Sequence, residues 1–110
     1  MAKRDISMSD EEVDTFLADC SLMVVGAVAA DGWPVGTIAA STYCDGVLSL
    51  RFVDGDPVRA ELARDPRVCC TADVHDSYFE IKGVTVHGLI GADDCVATDH
   101  VISFDFGRLR

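Results

Sequence analysis

The sequence has 110 residues, 49% of them hydrophobic and 25% charged, which is the balance of one globular domain and not of a disordered chain. Nine Lys and Arg stand against nineteen Asp and Glu, for a net charge of −10. With no basic stripe, that charge excludes a general nucleic-acid binder and docking on an anionic membrane, while leaving room for a small phosphorylated ligand held by a few local cations.

The longest apolar run, Leu22 to Ala30, falls well short of the ~20 residues that cross a bilayer. The basic start, Met1-Ala2-Lys3-Arg4, has no apolar stretch behind it, so a cytoplasmic location is expected. Five cysteines, an odd number without C-x-x-C spacing, argue against a zinc knuckle and read as small buried residues.

In chain order, Ser9-Asp10-Glu11-Glu12 forms a capping box, and Val13, Phe16 and Leu17 follow at helical spacing. The pattern predicts a helix over Asp10 to Asp19. Leu22 to Ala30 then reads as a strand ending at Asp31-Gly32, a hairpin signal, with Trp33 to Thr42 as its partner. A second Asp-Gly turn, Asp45-Gly46, leads into a third strand, Val47 to Val53. Asp56 caps and Pro57 opens a short helix, Pro57 to Arg64, which Asp65-Pro66 ends. Arg67 to Val74 is a fourth strand and Ser77 to Gly91 a fifth. Gly83 and Gly88 inside the fifth mark a bend or bulge. Val101 to Phe106 alternates as a short last strand. The sum is a mainly β fold: a small six-stranded antiparallel barrel with two short helices in a single domain, residues 1–110.

No G-x-S-x-G, P-loop or dinucleotide fingerprint is present, and His75, His87 and His100 lack metal-site spacing. The informative feature is local basicity. Arg51 interrupts the third strand, and Arg59, Arg64 and Arg67 lie in and after the short helix. A strand arginine next to a helix start can hold a phosphate through bidentate bonds and free backbone N–H groups. The same arginines can equally pair with Asp54, Asp56, Glu61 and Asp65.

The order of elements resembles the pyridoxamine 5'-phosphate oxidase-like, flavin-binding split-barrel superfamily. The resemblance rests on the Ser-Asp-Glu-Glu helix running into "FLADCSLMVVGAVAADGWPVGTIAA", then on "YCDGVLSLRFV", "AELARDPRVCC" and the tail "VISFDFGR". It implies a six-stranded antiparallel split barrel and a homodimer with flavin sites at the interface. The cofactor would be FMN or a deazaflavin coenzyme, used for hydride or electron transfer to a small molecule; a cofactor-free dimer is the alternative on the same fold. Carried over by position, Arg51 meets the cofactor phosphate, with Phe52 and Val53 beside it. Val53 stands where Thr is frequent. Val58 stands where the family's helix carries a cation, which makes the neighbouring Arg59 its substitute. The stretch Val35 to Ile38, including Thr37, lies against the flavin ring. The nine residues between Gly91 and Val101 are fewer than many members carry there, which implies a more open substrate side.

Overall fold

The computed structural model describes residues 4–110; Met1 to Lys3 of the basic start lie outside the described residues. Helix α1 (Asp10–Asp19) begins as the capping box requires. The Ser9 hydroxyl accepts from the Glu12 amide, and the Glu12 carboxylate accepts from the Ser9 amide. Six strands follow: β1 (Leu22–Val28), β2 (Pro34–Cys44), β3 (Val47–Arg51), β4 (Arg67–Val74), β5 (Lys82–Ile90) and β6 (Cys95–Asp105), with helix α2 (Pro57–Arg64) between β3 and β4. They close into one antiparallel barrel in the order β1-β2-β3-β6-β5-β4. The seams differ greatly in length. β4 and β5 share eight residue pairs, β1 and β4 three, and β3 and β6 only two, Leu48 with Val96 and Ser49 with Cys95.

Alternate residues point inward, as a pleated strand demands. Met23, Val25, Leu48, Cys70, Val84 and Val86 are almost wholly buried and fill the barrel. The helices dock at opposite ends of the β1–β2 hairpin. Near the start of β1, α1 buries Phe16 and Leu17, and the Asp14 carboxylate accepts from the Tyr43 hydroxyl at 2.6 Å. That bond, with burial second, raises the Tyr43 pKa to about 12. At the far end α2 buries Val58 and Leu62, and the Arg64 guanidinium donates to the Val28 carbonyl at 2.6 Å.

The two Asp-Gly sites take different forms. Asp45 (φ 52°) and Gly46 (φ 79°) make a two-residue turn between the paired Cys44 and Val47, with left-handed backbone at both positions. Asp31-Gly32 lies in a wider loop, so β1 stops at Val28, β2 starts at Pro34, and the Asp31 carboxylate accepts from the Trp33 amide.

β1 thus stops short of the expected Ala30, and other boundaries also differ from the sequence reading. β2 runs on to Cys44, and β3 ends at Arg51, which leaves Phe52 and Val53 in the connection to α2. The expected fifth strand divides into a 3-10 turn (Tyr78–Glu80) and β5. The last strand starts at Cys95, not Val101. The short interval after Gly91 is therefore half of β6 and not an abbreviated cover. A bulge explains the miss: His87 pairs with His100 but Gly88 pairs with Thr98, so Asp99 is the extra residue. It throws the inward–outward alternation out of step, and the apolar pattern vanishes across the first half of the strand.

Gly88 makes that bulge possible, because a Cβ there would stand 2.3 Å from the Ala97 carbonyl oxygen. Gly36 is the contrast: its added Cβ would meet nothing nearer than the Val25 carbonyl at 3.6 Å. In denaturant melts, Gly88→Ala is expected to cost about 2–4 kcal/mol. Gly36→Ala should change stability by less than about 1 kcal/mol, on the stabilising side.

Candidate functional site

Strand parity decides where each sequence-read residue goes. Along β2, Val35, Thr37, Ala39 and Ser41 share the inner side; Gly36, Ile38 and Ala40 share the outer one. Arg51 pairs with Ala40 and is exposed on the outer face, while Thr37 turns the other way. The Thr37 hydroxyl donates to Asp56 at 2.7 Å. The same Asp56 carboxylate caps α2, accepting from the Val58 amide at 2.8 Å and the Arg59 amide at 3.4 Å. Phe52 packs against the core, and Val53 is exposed.

The helix start that could cradle a phosphate is thus occupied by the chain's own carboxylate. Arg59 is likewise engaged, its Nε 2.7 Å from Asp94, in the turn between β5 and β6. Arg64 pairs with Glu61, and Arg67 with Asp65. Those bonds from Arg67 bring the Asp65 pKa down to about 2. Among the described residues, Arg51 is in no ion pair with these acids. The family-like cluster therefore divides into one free outward cation and three internally paired ones.

The outer face holds a feature that the sequence reading passed over. Gly26 and Gly36 are paired directly across β1 and β2. Neither has a left-handed φ, and an added Cβ at either would make only ordinary contacts. The backbone does not need these glycines; they leave a bare patch on the sheet, of the kind that lets another group approach closely. The signal was available, since the two lie five residues to either side of Asp31 in a hairpin. The same cross-strand row continues through Cys69, His87 and His100. Over Gly26, Cys69 and His87 of this row lies a groove of about 930 Å³, lined also by Val28, Pro34, Arg67 and Leu89. That is within the size range of small-molecule sites. Neither Trp33, 72% exposed, nor Phe52 lines it.

Other chemistries find less support. Among the described residues no three His, Cys, Asp or Glu side chains are placed to hold a metal ion. Burial pushes the Cys70 thiol up to about 12, the direction opposite to a reactive thiolate. No described helix is long and apolar enough to cross a membrane.

No protein-family model matches the chain, and no curated protein matches it in sequence. Solved structures do match. The conserved hypothetical protein Rv2991 from Mycobacterium tuberculosis superposes with a TM-score of 0.83 at 18% identity, over 99% of this chain and 92% of that one. The FAD binding protein from Mycobacterium smegmatis gives 0.72 at 15% identity, over 92% and 99%. A heme binding protein from the same organism gives 0.71 at 14%, over 97% and 61%. At these identities the likeness establishes architecture, and with the closed antiparallel ring it places the chain among the small six-stranded split barrels.

Thr37 and the α2 amides hold Asp56 in its charged form, the Thr37 hydroxyl most strongly, so its pKa lies below the ordinary 3.8. A lowered folded-state value adds stability above the unfolded pKa and loses it as the pH falls through the folded one. Asp56→Asn should therefore lower the melting temperature most at neutral pH. The gap to the parent should narrow below pH 3.8 in a series of thermal melts.

Proposed function

We propose that this protein binds a flavin-type cofactor on the outer face of the barrel, with the planar ring against the bare Gly26–Gly36 backbone. The glycine pair is the observation that carries the reading. Its two residues are dispensable for backbone conformation and packing, yet Gly26, with Gly36 paired beside it, lines a groove large enough for a tricyclic ring. Arg51 lies on the same face, two cross-strand rows farther along β2, or about 13 Å at strand spacing. That distance suits a ribityl phosphate reaching from ring to cation. Arg51 would hold the phosphate, with Val53 beside it, and Arg59 would join only by leaving Asp94. The fold likeness to an FAD binding protein supports a flavin, and the sequence resemblance to the pyridoxamine 5'-phosphate oxidase-like superfamily supports FMN or a deazaflavin coenzyme.

When bound, the cofactor supplies hydride or electron transfer to a small molecule; the protein's part is to orient it and exclude water. A second copy of the chain, packed over the groove, would complete that exclusion, so a homodimer belongs to the proposal. The cofactor-free dimer is the second reading, favoured by the Asp56 and Asp94 carboxylates that already fill two of the three expected anion contacts.

Absorbance and fluorescence titrations with FMN, FAD, the deazaflavin coenzyme and riboflavin separate the two. Saturable binding at micromolar or lower Kd is expected for one phosphate-bearing form. Gly36→Leu should abolish it while circular dichroism stays unchanged. Arg51→Ala should weaken FMN by about tenfold and leave riboflavin unaffected. No binding by any of the four, from a protein that light scattering shows at about twice 11.8 kDa, would leave the cofactor-free dimer.

A further inference from the structure

Beside α1 lies a second groove, of about 670 Å³, on the outer face next to the glycine patch. Its floor is apolar and wet: Leu22 is 60% exposed, Ile38 59% and Val24 54%. Val24 and Ile38 are directly paired across β1 and β2, so these side chains form a contiguous surface. An exposed apolar patch with a polar rim marks an interaction site more than a random scatter of hydrophobics does.

The rim fixes the sign of the partner. Glu11 and Asp19, near the two ends of α1, both line the groove. Asp73, at the end of β4, also lines the groove, 3.3 Å from His75 Nδ1. Two more carboxylates in the lining, Glu12 and Asp105, are already engaged by Arg108. Among the described residues, Lys82 is the one lysine or arginine in the lining. A second copy of the chain is a poor occupant. Its net charge is −10, and a two-fold contact would bring these carboxylates against their own counterparts.

We infer that the α1 groove docks a basic amphipathic helix of a partner protein. The helix would lay its apolar face on Leu22, Val24 and Ile38 and its Lys or Arg side chains against Glu11, Asp19 and Asp73. Docking does not rest on flavin binding, but Val24 and Ile38 form the row between the Gly26–Gly36 pair and Arg51. A docked helix and a flavin reaching Arg51 would therefore exclude one another, and the titration is made on flavin-free protein.

The probe is a synthetic leucine–lysine peptide patterned as an amphipathic helix, with its leucine–glutamate counterpart as control. Both are titrated into the 15N-labelled full chain. Saturable binding of the lysine peptide is expected, with amide shifts confined to α1, the start of β1, β2 around Ile38 and the end of β4, and none with the glutamate peptide. The double variant Glu11→Lys, Asp19→Lys should weaken binding at least tenfold. The remote double variant Asp54→Lys, Asp99→Lys changes net charge by the same amount and should weaken it less than twofold. Val24→Thr, which keeps a β-branched strand residue, should weaken it severalfold. Equal loss in both charge variants, or shifts spread over the whole surface, would reduce the effect to general electrostatics and overturn the inference. So would self-association that strengthens on the Glu11→Lys, Asp19→Lys change, because the groove would then be an interface between copies.

Discussion

Closure of six strands into one ring is the constraint from which the rest of the structure follows. Val25 and Cys70, paired across the β1–β4 seam, are both fully buried. Once that seam is fixed, the register of every other strand is fixed with it, because a slip by one residue would turn Val84, Val86 and Leu48 out to water. The functional face is a by-product of the same rule. If odd-numbered residues of β2 line the interior, Gly36, Ile38 and Ala40 must meet solvent, and Arg51, paired with Ala40, must join them.

Parity also explains which parts of the site were legible in the sequence. The two helices were read to the residue because their signals are local: a reciprocal capping box for α1, and for α2 an Asp cap, a Pro at the first turn and Asp65-Pro66 beyond. β4 was equally plain, bounded by Pro66 and by the polar residues after Val74. The first half of β6 was not, because the bulge at Asp99 erases the alternation on which a strand is recognised. Gly88, the residue that permits the bulge, was noticed; its effect lies on the neighbouring strand, where no local pattern records it.

The arginine cluster shows a different limit. Charge and spacing brought Arg51, Arg59, Arg64 and Arg67 together on paper, and pairing with nearby acids stood as the alternative. Arg64 and Arg67 took that alternative, while Arg59 paired with an acid outside it. Asp94, the partner of Arg59, is thirty-five positions away in sequence and comes within reach only because the β5–β6 turn folds back over α2. Thr37 illustrates the same limit: its hydroxyl goes to Asp56 and so serves the helix cap on the inner side, away from the outer face where Arg51 stands.

The two-pair seam between β3 and β6 gives the ring a place to breathe. Few backbone bonds must break there, and opening free energy tracks the local density of such bonds. What holds that side shut is the Asp94 turn. Its carbonyl accepts from the Leu50 amide at 2.9 Å, and its carboxylate clasps Arg59. One residue, held in a left-handed backbone with φ of 62°, therefore latches a helix and a strand edge together. Releasing α2 from the barrel and parting the β3–β6 edge consequently both require contacts of this one residue to break.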